Sequence, residues 1–210
     1  MRYRLAVRFA IEGDLRFISH HDSLRLFERA LARADIPVRF SEGFNPRPQM
    51  RLALPRPVGA ASRDELLVME LTRDMQPEDA RTALQGQMPA GISLLSAENL
   101  ADDDHRRPCE ATYELPVGQE QTTALARRIS EFMASPTVIV MRQTPRTTRT
   151  KSVDIRSFVK TMDVSDGRLT WTQLISQEGT ARLAEVLDAI ELRGADHLHR
   201  VCRTAVAYQR

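Results

Sequence analysis

Tyr3-Arg4-Leu5-Ala6-Val7-Arg8-Phe9-Ala10-Ile11 is the stretch on which the fold turns. Leu5, Val7, Phe9 and Ile11 recur at every second position, with Arg4 and Arg8 between them, so the segment reads as a half-buried strand. Glu12-Gly13-Asp14 supplies a turn, and Leu15-Arg16-Phe17-Ile18 follows. Ser19 then has the chemistry of a helix N-cap, with Asp22 three residues on in a capping-box arrangement. The spacing of Leu24, Phe27, Leu31 and Ala34 predicts a helix over about 20–34 with one apolar face. Pro37 ends it. A short strand at 38–40, the loop Ser41-Glu42-Gly43-Phe44-Asn45-Pro46-Arg47-Pro48, and strands at 50–54 and 65–72 come next. Pro77 opens a helix over 77–87, at a position where proline is tolerated. A strand at 92–97 closes the half.

The second half has a similar order. Strands are expected at 110–117, 137–142, 152–159, 168–175 and 200–208, and helices at 121–134 and 180–191, with Ser165-Asp166-Gly167 as a hairpin turn. The polar stretch 98–108 lacks periodicity and reads as a linker, giving domains of 1–98 and 109–210 joined by 99–108. Strand, long loop, strand, strand occurs near 38, 52 and 66 and again near 138, 153 and 169. The expectation is therefore an α+β chain of tandem duplicated ferredoxin-like (β-α-β-β-α-β) units with antiparallel sheets, each with one sheet face open to a twin or a ligand.

Of the 30 basic residues, 28 are arginine and only Lys151 and Lys160 are lysine. Arginine suits phosphate and base recognition, because its planar fork makes paired hydrogen bonds and stacks on rings. Codon bias in a GC-rich genome yields the same excess, so the placement of the arginines matters more than their number. Two cysteines, Cys109 and Cys202, exclude a disulfide framework or a multi-cysteine metal site. No apolar run reaches the roughly 20 residues that span a bilayer, and the N-terminus lacks the apolar core of a signal peptide. A cytoplasmic chain without membrane contact, metal or cofactor is expected.

Leu15-Arg16-Phe17-Ile18-Ser19-His20-His21-Asp22, Arg25, Phe27-Glu28-Arg29-Ala30, Arg33-Ala34 and the loop 41–48 resemble the signature of the radical-SAM-linked protein family. Pro55, Pro57, Val58, Gly59, Glu65, Asp154-Ile155-Arg156 and Arg203-Thr204 fit as well. The chain departs from the pattern at His21, where the family carries an apolar residue. This uncharacterised bacterial domain occurs alone or fused behind a radical SAM enzyme. The resemblance implies a radical SAM partner more firmly than it implies a reaction.

Three elements carry candidate chemistry. Arg25, Arg29 and Arg33 repeat at four-residue spacing and form one stripe on the first helix. Arg16, His20, Arg25 and Arg29 make a candidate anion site at the helix start; a solvated, ion-paired helix face is the alternative. In the stiff loop, Phe44, Asn45 and Arg47 offer a stacking ring and polar contacts, unless Phe44 is buried in a tight turn. Arg142, Arg146, Arg149, Lys151 and Arg156 form a basic stretch suited to phosphates. His20, Asp22 and Asp154 are candidates for acid–base work, without a visible nucleophile. The leading expectation is an RNA-binding or substrate-presenting accessory protein working with a radical SAM enzyme in RNA modification or processing, without activity of its own. Two alternatives stand beside it: an RNA-modifying or RNA-cleaving enzyme using His20/Asp22 or Asp154, and a protein-interaction domain that binds no nucleic acid.

Overall fold

Strand β1 (Tyr3–Ile11) sends Leu5, Val7, Phe9 and Ile11 to one side of its sheet, where all four are buried. The computed structural model describes residues 3–143 and 150–209, so Arg146 and Arg149 of the basic stretch lie outside the described residues. The chain divides into two units, Met1–Pro108 with Tyr208–Arg210, and Cys109–Ala207. It is a mixed α+β structure with predominantly antiparallel strands and, among the described residues, five α-helices.

In the first unit β1 leads through a 3-10 turn (Gly13–Phe17) into α1 (His20–Arg33). The Ser19 hydroxyl oxygen accepts from the Asp22 backbone N–H at 3.1 Å, the expected N-cap, and donates to the Asp22 carboxylate at 2.6 Å, which replaces the return bond to the Ser19 backbone that a capping box would make. The buried face of α1 is Ser23, Phe27, Ala30 and Leu31, so that Phe27 and Leu31 of the expected stripe are buried while Leu24 and Ala34 lie at its edges. Phe27 meets Phe9 edge-on, with ring centroids 4.8 Å apart. Asp35, at φ +53, turns the chain out of the helix in a left-handed conformation that Asp tolerates. Strands β2 (Met50–Leu52), β3 (Ala61–Leu71) and β4 (Ile92–Asn99) and helix α2 (Pro77–Gln85) complete the unit. Its strands lie in the order β4-β1-β3, and β2 takes the other edge of β3, with Met69 of β3 opposite both Leu5 and Met50. The segment 38–40 makes only isolated bridges, Val38 to Leu71 and Phe40 to Pro48.

The second face of this sheet was expected to be free to pair with a twin or to take a ligand. It carries Ala6, Leu66, Val68 and Leu100, all nearly inaccessible. That face is an apolar packing surface and not an arginine-lined one. The reason is visible in β3, where Leu66, Leu67, Val68 and Met69 are consecutive and buried, as in a strand covered on both faces.

The second unit runs β5 (Arg107–Pro116), α3 (Thr122–Ala134), β6 (Ile139–Gln143), β7 (Thr150–Asp154), β8 (Val159–Ser165), β9 (Arg168–Leu174), α4 (Leu183–Ala189), α5 (Gly194–His197) and β10 (Cys202–Gln209). Its strands lie in the order β10-β5-β9-β8, while among the described residues β6 and β7 pair only with each other. Trp171 is fully buried and stacks on Tyr113 at 5.4 Å. The strand expected over 152–159 is interrupted. The Asp154 carboxylate accepts from the backbone N–H groups of Val138 (2.8 Å) and Arg156 (3.0 Å), which bends the chain at Ile155. The pairing with β9 is then made by 159–165, beyond the expected strand, and it turns at Asp166-Gly167, both at positive φ.

The β6–β7 hairpin is fastened by an ion pair. Arg142 donates to both oxygens of Glu185 at 2.7 and 2.6 Å, and to the Thr180 carbonyl at 2.9 Å. Burial alone would raise the Glu185 pKa, but the bonds from Arg142 and from the Arg182 backbone N–H outweigh it and hold the carboxyl below its ordinary value. A folded-state pKa below the unfolded one contributes stability above the ordinary glutamate range, and that stability is lost as pH falls through the folded value. Glu185→Gln should therefore destabilise the chain at neutral pH, and the gap to wild type should close below about pH 4. Urea denaturation from pH 7 to pH 3 checks this.

Candidate functional site

The described cations sort by what their side chains touch. Arg56, flanked by Pro55 and Pro57, points back at the N-terminal signature. Its guanidinium donates to the carbonyls of Arg16 (2.6 Å), Pro57 and Ala60 through Nη1, and to those of Leu15 and Ile18 through Nη2. The Arg16 carbonyl also accepts from the Gly59 backbone N–H at 2.8 Å. The turn before α1 is thus held by a side chain about 40 positions further on. The sequence signal is the Pro-Arg-Pro triplet at 55–57, in which nothing local marks the arginine as an anchor.

His20 and Asp22 sit on opposite sides of the helix start. His20 faces inward, into a cavity of only ≈ 10 Å³ shared with Phe9, Ser23, Arg56 and the buried Glu65. That space holds no more than about one water. Burial, and to a lesser degree His21, lowers the His20 pKa, so its imidazole is neutral at pH 7 and brings no charge to an anion site. Asp22 faces solvent. The hydrogen bond from Ser19 keeps its pKa below the usual carboxylate value, and that low basicity suits a cap better than a general base. Asp154 is engaged with the Val138 and Arg156 amides.

Arg16, Arg142 and Arg156 are committed to local structure. Arg16 lies over the Phe17 ring at 4.7 Å and donates to the Gly13 carbonyl at 3.2 Å. Arg142 holds Glu185. Arg156 donates to the Met133 carbonyl in the last turn of α3 at 3.2 and 3.0 Å and to the Val159 carbonyl at 2.8 Å. Lys151 is exposed opposite Arg142 on the hairpin. Lys160 pairs with Glu110 at 2.6 Å.

Two grooves border α1, and these hold the remaining described candidates except Phe44. One, of ≈ 560 Å³, is walled by Arg25, Arg29 and Arg33 on the helix and by Gly86–Pro89 across from it. Arg33 is anchored there to the Gln87 side chain at 3.1 Å and carbonyl at 2.9 Å. The other, of ≈ 740 Å³, runs between His21, Leu24, Arg25 and Glu28 on the helix and Asn45, Pro46, Arg47 and Pro48 on the loop. Arg25 lines both. Its contact with Asp22 is long, at 3.7 Å, between exposed side chains, and such a pair holds the guanidinium weakly. Among the described residues Arg29 and Arg47 make no ion pair. Asp22 in the first groove and Glu28 in the second temper the positive field.

The loop beside the second groove is closed at its base. Ser41 and Arg47 exchange hydrogen bonds, with the Ser41 N–H donating to the Arg47 carbonyl (2.8 Å) and the Arg47 N–H to the Ser41 hydroxyl (3.0 Å). Gly43 takes φ +124, a conformation that disfavours other residues. Phe44, at the tip, is fully exposed, so its burial in a tight turn is ruled out. The structure thus brings Arg25, Asn45 and Arg47 to one groove and adds His21 and Glu28. The spacing of the arginine stripe made Arg33 legible; nothing local in the sequence pointed to Gln87.

Fold and site together define a two-unit α+β protein whose first unit bears arginine-lined grooves along one helix. The chain belongs to a family described as an uncharacterized protein conserved in bacteria (DUF2344), whose model matches residues 4–185. No curated protein matches it. Among solved structures it is similar to an unknown protein from Galdieria sulphuraria, with 12% identity over 100% of both chains and a TM-score of 0.29, too low to carry an argument. Among the described residues, no helix is long and apolar enough to cross a membrane, and no three metal-ligating side chains come together.

Replacing Arg56 with Ala should remove a donor shared by five part-buried carbonyls, of which those of Leu15, Arg16 and Pro57 each keep one backbone N–H. The expected cost is about 2–4 kcal/mol in urea denaturation, with Arg56→Lys less damaging because one ammonium still serves some of them. Wild-type stability for Arg56→Ala would refute the fastening role.

Proposed function

We propose that this chain is an accessory protein that binds or presents RNA, acting with a radical SAM enzyme in RNA modification or processing. The observation that carries the reading is Arg25, Arg29 and Arg33 in register along one helix, with Arg25 shared by two grooves and Arg47 and Asn45 on the facing wall. Cations in a row beside a groove suit a chain of phosphates, which supplies most of the sequence-independent affinity for nucleic acid. The radical SAM partner rests on the resemblance carried by residues 15–22 and 41–48.

The two units are further proposed to be copies of one ferredoxin-like β-α-β-β-α-β plan. In each unit the fourth strand lies beside the first, followed by the third and second, if the β6–β7 hairpin is counted as an insertion.

Filter binding of an RNA over a salt series tests the reading. Wild type should bind with a log K against log[salt] slope of several units. Arg25→Ala, Arg29→Ala and Arg47→Ala should each reduce that slope by about 1. Arg168→Ala, at an exposed pair with Glu114, should not. Recovery of a radical SAM protein without any RNA on pull-down would replace this reading with that of a protein-interaction domain.

A further inference from the structure

We propose that the groove between α1 and the 41–48 loop takes single-stranded RNA, with one unpaired base stacked on Phe44 and the adjoining phosphates held by Arg25 and Arg47. This rests on the RNA-binding reading above and names the form of RNA that the site accepts.

Three observations point there. Phe44 is a large apolar ring placed wholly in solvent, with its neighbour Asn45 already part of the groove wall. Exposing such a ring forgoes the stabilisation that burying it would bring, so its position calls for a ligand with a flat apolar face. The loop that carries it is also preorganised. The Ser41–Arg47 bonds close its base, Pro46 and Pro48 restrict its backbone, and the Phe40–Pro48 bridge pairs its two flanks. Little conformational freedom remains to be lost when a base settles on the ring.

The third observation is the composition of the groove. Arg25 and Arg47 offer forked donors to phosphate oxygens, while Asn45 carries both a donor and an acceptor and Glu28 only an acceptor. A purely phosphate-binding surface gains nothing from Glu28, but a carboxylate can accept from the N–H groups on a base edge. Phosphates with an exposed base edge and an accessible base face occur together in a single strand. In an A-form duplex the faces are stacked away and the edges largely paired, and recognition falls to shape and backbone.

Fluorescence anisotropy on the full chain decides it, with a labelled unstructured RNA of about ten nucleotides and a duplex of about the same length as probes. Wild type should prefer the single strand. Phe44→Ala should weaken single-strand binding by roughly five-fold or more, without changing its salt slope, because a stacking contact releases no counterions. Duplex binding should be unchanged, and Phe44→Trp should retain or improve the single-strand affinity. Arg47→Ala should instead change the slope. Tighter binding of the duplex, or a Phe44→Ala protein that holds the single strand as wild type does, would overturn the stacking site while leaving RNA binding in place. Failure of wild type to bind either probe would overturn both.

Discussion

The guanidinium of Arg56 is surrounded by carbonyl oxygens from Leu15, Arg16, Ile18, Pro57 and Ala60, and the candidate site depends on this interaction. The turn between β1 and α1 has a poor claim to order by itself. It is a single 3-10 turn with no buried residue, followed at once by a helix that must start at Ser19. Carbonyls facing inward need donors, and one arginine supplies up to five N–H groups in a fixed plane. Because the turn is fixed, the direction of α1 is fixed, and with it the line of Arg25, Arg29 and Arg33 along the grooves.

The same chemistry explains much of the arginine content. Arg142 bridges both oxygens of Glu185, Arg156 reaches the end of α3 and the start of β8, and Arg106 pairs with Asp104 and Glu98. A lysine ammonium would serve each of these poorly, since they require donors spread across a plane. Neither codon bias nor nucleic-acid binding is needed for those positions. What distinguishes the α1 grooves is that Arg25, Arg29 and Arg47 face solvent with little to hold them, while Arg33 is anchored to Gln87. Charge along the sequence therefore overstates the solvent-facing cationic surface, and the role of each guanidinium depends on the carbonyls and carboxylates around it.

Local signals were legible where local physics decides the structure. The period of two in 3–11, the Ser19 cap and the proline at the start of α2 all act within a few residues, and each produced the expected element. The break at Ile155 was not legible, because it comes from Asp154 accepting the amide of Val138, 16 positions away. β8 was missed for a related reason: its exposed, alternating Lys160-Thr161-Met162-Asp163 has little apolar content and gains its pairing from β9. In the site, helical spacing exposed the arginine stripe. The opposing loop wall, the inward turn of His20 and the engagement of Arg142 and Arg156 depend on tertiary partners that no spacing encodes. Phe44 was undecided between burial and exposure because an aromatic between glycine and asparagine fits either outcome.

The fastening of the N-terminal turn also constrains the order of assembly. Leu15 and Arg16 meet their anchor only after a further 40 or so residues have joined the chain. A ribosome releasing this polypeptide exposes the LRFIS segment well before the guanidinium that organises it, and contacts of such separation form late because loop closure must come first. A truncated product ending ahead of residue 56 would carry the signature without its shape. The shape of the amino-terminal segment is in this sense a property of the completed unit, and a peptide copied from residues 15–22 would not reproduce it.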